Sequence, residues 1–75
     1  MKLYKRQHLR KMVKLNTLAR LCEIQPSYLS KVIHEHVKPS QELAEKLAEK
    51  SNLLIGSTDY FEPADFIAAR FKNNN

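Results

Sequence analysis

Glycine, cysteine and tryptophan are nearly missing from this chain of 75 residues, which has one glycine, one cysteine and no tryptophan. Tight turns between strands often use glycine, and no run alternates Val, Ile or Thr with polar residues, so the sequence argues against β-structure. The lone Cys22 excludes an internal disulfide. No stretch approaches the roughly 18 apolar residues of a transmembrane helix, and no apolar secretion core follows Met1. We therefore expect a cytoplasmic protein without a membrane partner.

Basic side chains are unevenly distributed along the chain. Residues 1–38 contain nine Lys and Arg against two Glu, whereas residues 39–75 contain four basic and six acidic side chains. A polyanion is the natural partner of such a basic half, and nucleic acid is favoured over a membrane surface. A solubilising surface charge is the alternative explanation, and the charge alone does not separate the two.

Apolar residues recur at intervals of three and four, which predicts one all-α domain of about five helices over residues 1–72. Residues 73–75 are expected to form a disordered tail. The predicted inner faces contain Leu9, Met12 and Val13 in helix one, Leu15, Leu18, Ala19 and Cys22 in helix two, and Leu43, Ala44, Leu47 and Ala48 in helix four.

Prolines mark the middle helix boundaries. Pro26 suits the first turn of a third helix that ends near His34, because its missing N–H costs little there. Lys38-Pro39 interrupts the helical conformation, since a residue before proline avoids the α conformation. Ser40 is predicted to cap helix four, which runs from residue 41 to about residue 51.

The C-terminal part is predicted to contain a link and one more helix. Residues 52–58 form the link, which contains Gly56 and places Leu53, Leu54 or Ile55 in the core. The final helix begins near Pro63.

The third helix has two distinct faces. Leu29, Val32 and Ile33 cluster on one side, whereas Ser27, Ser30, Lys31 and His34 lie on the other and Tyr28 lies at the boundary. A helix that reads the major groove needs short polar side chains in front and a rigid support behind. Any surface helix has a polar stripe, however, so this pattern alone leaves DNA contact open.

The pattern LAxxxxIxxxxLSxVI, which runs from Leu18 to Ile33, is followed by Lys38-Pro39-Ser40 and the Leu47-Ala48 pair. Together these residues resemble the helix-turn-helix family of lambda repressor and Cro, also called the Xre-like class, over about residues 13–53. The resemblance implies a five-helix bundle with its helix-turn-helix at about residues 15–34. It also implies a homodimer on operator DNA, bound to two related half-sites about one helical turn apart.

The resemblance also implies which residues contact DNA. The base-contacting positions are Gln25, Pro26, Ser27, Tyr28 and Lys31. The phosphate-contacting positions are Lys14, Asn16, Thr17, Ser30, His34, His36 and Lys38. Lys31 is expected to bind O6 and N7 of guanine, the commonest specific contact of a lysine or arginine in the major groove.

Three residues depart from the family pattern. Pro26 offers only apolar contact, so Gln25, Ser27 and Lys31 must carry most polar recognition. Leu15 stands where the family usually has glutamine. Glu23 stands where the family favours glycine for a left-handed turn residue, a conformation that costs other residues about 1–2 kcal/mol.

Catalytic and metal-binding alternatives find little support in the sequence. His34 and His36, with His8 as a third ligand, invite a metal site, but two histidines two residues apart on a helix point in opposed directions. No phosphate-binding loop or catalytic set is present, and Cys22 is expected to be a buried core residue. We expect no enzyme activity, no cofactor and no small-molecule ligand.

The leading hypothesis is a small repressor or Cro-like transcription regulator of phage or prophage type, acting in the cytoplasm at the nucleoid. Its dimer surface is expected to include Phe66, Ile67, Arg70 and Phe71. The alternative is an antitoxin-type module that masks a toxin and regulates its own promoter. A nonspecific architectural protein comes third.

Overall fold

The computed structural model describes residues 3–67, which form an all-α bundle without strands, as the periodicity predicts. The five helices are α1 (Leu3–Met12), α2 (Leu15–Leu21), α3 (Pro26–Ile33), α4 (Gln41–Ile55) and α5 (Pro63–Phe66). Among the described residues, none of these helices is both long and apolar enough to cross a membrane.

One hydrophobic core joins all five helices. Its buried members are Leu9, Val13, Leu18, Ala19, Cys22, Leu29, Val32, Ile33, Ala44, Leu47, Ala48, Phe61 and Phe66. Leu15 and Leu43, which were also predicted to face inward, are half-buried and pack against this core. The helical periodicity therefore identifies most of the core correctly.

Met12 is the exception on α1, because its side chain is 58% exposed although the pattern predicts it to face inward. The residues that cover this side of α1 are Tyr60 and Asp65, which contact His8 and Lys5, one and two turns earlier. Met12 lies one turn beyond these contacts, and its side chain faces solvent.

The predicted starts of α3 and α4 are confirmed. Pro26 occupies the first turn of α3. The Ser40 hydroxyl accepts a hydrogen bond from the backbone N–H of Leu43 at 3.1 Å and so caps α4. This bond satisfies one of the backbone donors that a helix leaves unpaired at its N-terminus.

The end of α4 lies later than the sequence predicts, at Ile55 instead of about Ser51. Gly56 ends the helix with a φ of 74°, in the left-handed region that glycine adopts without steric cost. Of the residues expected in the core, Leu53 is 65% exposed and Leu54 is 36% exposed, whereas Ile55 is half-buried. The predicted link of residues 52–58 is therefore corrected to a shorter one that begins after α4.

Asn52 explains why the helix continues past a residue that usually favours turns. Its buried side chain donates to the carbonyl of Phe61 at 2.9 Å and accepts from the N–H of Phe61 at 2.8 Å. These two bonds hold the segment between α4 and α5 against α4. The interaction joins residues nine positions apart, so helix propensity does not reveal it.

The C-terminal residues require a second correction. Phe66 is only 2% exposed and packs in the core beside Phe61, so its ring is not available as a dimer surface. Ile67 is half-buried against the same core. Arg70 and Phe71, the other predicted dimer residues, lie outside the described residues.

Polar contacts attach α1 to the C-terminal segment. The Lys5 ammonium donates to the Tyr60 carbonyl and to the Asp65 carboxylate, both at 2.8 Å. Burial opposes the charge of Lys5, but the hydrogen bond and attraction to Asp65 outweigh it and raise the pKa of this lysine. The His8 ring nitrogen lies 3.0 Å from the Tyr60 hydroxyl. The bundle is thus closed by polar contacts as well as by its core.

Two glutamates have left-handed backbone conformations. Glu23, at the hinge between α2 and α3, has a φ of 60°, which confirms the left-handed turn predicted at this position. Glu35, just after α3, has a φ of 66°, but it is buried and its carboxylate lies 3.3 Å from the Arg6 guanidinium. Within residues 3–67, the same backbone strain is therefore accompanied by an ion pair at Glu35 but not at Glu23.

Replacing each glutamate by glycine should change stability in opposite directions. Glu23→Gly relieves the left-handed strain, and we expect the free energy of unfolding to rise by about 0.5–1 kcal/mol. Glu35→Gly relieves similar strain but removes the contact with Arg6, and we expect a net loss of about 1–2 kcal/mol. Urea unfolding of both variants measures the two changes, and a loss of stability in Glu23→Gly would contradict this account of the hinge.

Asn52→Ala should destabilise the bundle by about 2–3 kcal/mol, because it leaves the N–H and carbonyl of Phe61 without their buried partner. Asn16→Ala is the matched control, since Asn16 is an exposed residue of α2 and its loss should change stability by less than about 0.5 kcal/mol. Equal thermal melting temperatures for the two variants would show that the Asn52 contacts contribute little.

Candidate nucleic-acid interface

The core holds α3 firmly by one side. Leu29, Val32 and Ile33 are at most 1% exposed, so this side of the helix has almost no contact with solvent. Before the helix, the N–H of Ile24 donates to the carbonyl of Ala19 at 2.9 Å and fixes the turn from α2. The opposite side of α3 is therefore presented to solvent on a rigid support.

Four of the five predicted base-contacting residues are exposed on this outer side, namely Gln25, Pro26, Ser27 and Lys31. Gln25 precedes α3, and its side chain does not cap the helix, so its amide is not used by the backbone there. Tyr28 is different, because it is half-buried and packs against the core. The exposed polar side chains of the set are thus Gln25, Ser27 and Lys31.

The predicted phosphate-contacting residues form two groups, one at the start of α2 and one between Ser30 and Lys38. Lys14, Asn16 and Thr17 are exposed at the start of α2. Ser30, His34, His36 and Lys38 belong to α3 and the segment after it, where Ser30 and His34 are half-buried and the other two are exposed.

Backbone hydrogen bonds fold the segment after α3 back over the end of the helix. The N–H of His36 donates to the carbonyl of Lys31 at 2.8 Å, and the N–H of Glu35 donates to that of Val32 at 3.0 Å. The left-handed Glu35 allows this reversal, and its contact with Arg6 ties the segment to α1. The positions of His34 and His36 therefore depend on α1 as well as on α3.

Positive charge surrounds His34. Burial lowers the pKa of His34, and the nearby charges of Arg10, Arg6 and His36 lower it further. The ring centroids of His34 and His36 lie 6.3 Å apart. Burial and the neighbouring cations thus favour the neutral imidazole of His34 over the imidazolium.

Arg6, Arg10 and Glu35 were not predicted as site residues. Arg6 and Arg10 are four residues apart and therefore share a face of α1, which is the only signal in the sequence that could have grouped them. Their proximity to His34 depends on how α1 packs against the end of α3. The sequence shows the basic helix but not the side chain that it approaches.

The metal and redox alternatives can be compared with the same structure. Within residues 3–67, no group of three or more His, Cys, Asp or Glu side chains could hold a metal ion. Cys22 is 3% exposed, and burial raises the pKa of its thiol, which makes the reactive thiolate scarcer. The prediction that Cys22 is a core residue is confirmed.

No protein-family model, curated protein or solved structure matches the chain. The function must therefore be inferred from the residues of the candidate interface themselves.

The lowered pKa of His34 makes a prediction about stability and pH. Near and below the ordinary value of 6.5, the unfolded chain binds a proton at this position more readily than the folded protein does. Stability is therefore lost as the pH falls through 6.5, and we expect His34→Gln to lose less than the wild type. Urea unfolding from neutral pH to about pH 5 measures the difference, and parallel curves for the two proteins would contradict it.

Proposed function

We propose that the protein is a sequence-specific regulator that binds double-stranded DNA with α3 in the major groove. The observation that carries this proposal is the contrast between the two sides of α3. Gln25, Ser27 and Lys31 are exposed, whereas the opposite side is buried in the core. A recognition helix requires this combination, because base edges are distinguished only when donors and acceptors are held in fixed positions.

Each exposed polar residue has its own task in this arrangement. Lys31 binds O6 and N7 of a guanine, Gln25 suits N6 and N7 of an adenine, and the short Ser27 allows the helix to approach the bases closely. Pro26 and Tyr28 contribute apolar contact, for which a thymine methyl group is the matching feature. Together they read a short half-site.

Residues before and after the base-contacting positions bind the DNA backbone. Lys14, Asn16 and Thr17 contact phosphates from the start of α2, and Ser30, His34, His36 and Lys38 do so from the end of α3 onward. Such contacts set the orientation of the protein on the duplex and release counterions, so the affinity must fall steeply as the salt concentration rises.

In this proposal the protein works in the cytoplasm as a homodimer of the repressor or Cro-like type and blocks transcription by occupying its operator. The two recognition helices of the dimer bind a palindromic site, whose half-sites lie about one helical turn apart. The burial of Phe66 removes one aromatic ring from the surface that both the homodimer and the antitoxin alternative would use, so it does not separate the two, and we favour the regulator because of the exposed polar side of α3. The activity is binding, and it requires no cofactor.

Selection of bound sequences from random duplex DNA tests the proposal, with the same selection repeated for two variants. Lys31→Ala should relax the preference at one base pair or two and cost about 1–3 kcal/mol on the best site. Lys38→Ala should weaken binding to all sequences alike. It should also reduce the slope of log affinity against log salt concentration by about one. Lys50→Ala, which removes the same charge from α4, is the matched control and should bind as the wild type does.

Two outcomes would count against the proposal. Enrichment of no sequence by the wild-type protein would remove sequence-specific binding altogether. If Lys31→Ala weakened binding equally at every site, Lys31 would be a backbone contact, and the assignment of α3 to base recognition would fail.

A further inference from the structure

The end of α3 and the neighbouring face of α1 bring four cationic or titratable side chains together. Arg6 and Arg10 lie one turn apart on α1. Arg6 contacts Glu35, the residue that follows His34, at 3.3 Å, and the charges of both arginines lower the pKa of His34. His34 ends α3, and the His36 ring lies beside it, 6.3 Å away between centroids. Three elements of the fold thus converge on one small region.

This region has an excess of positive charge from every element that borders it. Arg6 and Arg10 come from α1, Lys31 lies three residues before His34 on α3, and His36 comes from the following segment. The acidic residue beside His34 in the sequence is Glu35, whose buried carboxylate contacts Arg6 at 3.3 Å. Arg10 is exposed at the side of the region and is therefore accessible to a ligand.

We infer that Arg10, His34 and His36 form one site for a phosphate of the DNA backbone, and that binding there adds a proton to His34. This inference rests on the proposed function and adds Arg10 and a dependence on pH to it. DNA affinity should consequently increase as the pH falls from about 8 to about 5, the range in which histidine titrates.

The proton uptake follows from the change in charge around the ring. In the free protein, burial and the nearby cations favour the neutral imidazole. A bound phosphate brings negative charge next to the same ring, which favours the imidazolium and gives it two N–H donors instead of one. Binding of the phosphate and of the proton therefore strengthen each other.

The size of the effect is limited by the number of protons involved. Uptake of one proton changes the affinity by at most about tenfold for each pH unit. Phosphodiester groups keep their negative charge throughout this pH range, so the DNA itself contributes no such dependence. A measured pH dependence must then come from the protein.

The site can be tested first without DNA, with sulfate as the probe, because sulfate keeps its charge over this pH range. Nuclear magnetic resonance titration of the wild-type histidines gives the pKa of His34 with and without sulfate. We expect sulfate to raise it and to leave unchanged the ring chemical shifts of His8, which contacts Tyr60 elsewhere. An unchanged pKa of His34, or an equal response of the His8 ring, would overturn the anion site.

The Arg10→Gln variant separates the site from a general effect of ionic strength. Without the Arg10 charge, the pKa of His34 should be higher in the free protein, and sulfate should raise it by less than in the wild type. A sulfate effect as large as that of the wild type would show that Arg10 does not belong to the site.

DNA binding at several pH values and constant salt then tests the link to function. The wild type should bind its selected sequence more tightly at low pH, and His34→Gln should lose most of this dependence. His8→Gln, the matched control, should keep it. If the selected DNA binds equally at all pH values, the inference fails while the proposed function stands; if sulfate raises the His34 pKa but no DNA sequence is selected, the proposed function fails while the anion site stands.

Discussion

Leu29, Val32 and Ile33 leave water almost completely, and this burial controls the arrangement of the rest of the chain. A domain of this size has one small core, so each helix has to contribute its apolar side to it. For α3, this leaves a single outer face, and every polar residue of the helix is confined to that face or its edges. The candidate interface is thus the side of α3 that is not buried in the core.

Local signals in the sequence were sufficient for the helix starts and the hinge. Pro26, Ser40 and Pro63 act on their own turns, and the left-handed Glu23 lies in a turn between two short helices. These features depend on residues only a few positions apart. The end of α4 could not be predicted in the same way, because Asn52 is stabilised by Phe61, which belongs to a different segment.

In the candidate site, too, the features that depend on local sequence were predicted and those that depend on distant residues were not. The exposure of Gln25, Ser27 and Lys31 follows from the periodicity of one helix, and sequence reasoning identified it. The surroundings of His34 do not follow from periodicity, because Arg6 and Arg10 approach it only when α1 packs against the end of α3. The burial of Phe66 was not predictable either, because the sequence pattern around this aromatic residue fits a surface position as well as a core position.

The contact between Lys5 and Asp65 also bears on the order in which the chain folds. It joins residues 60 positions apart, whereas α2 and α3 follow each other directly. The entropy cost of closing a loop grows with its length, so the helix pair containing α3 can assemble before the two ends of the chain meet. Partial opening should then release α1 and α5 from each other first, an order that native-state hydrogen exchange reads directly. Because Arg6 and Arg10 lie on α1, such opening would separate the arginines from His34 while leaving the hinge and α3 folded.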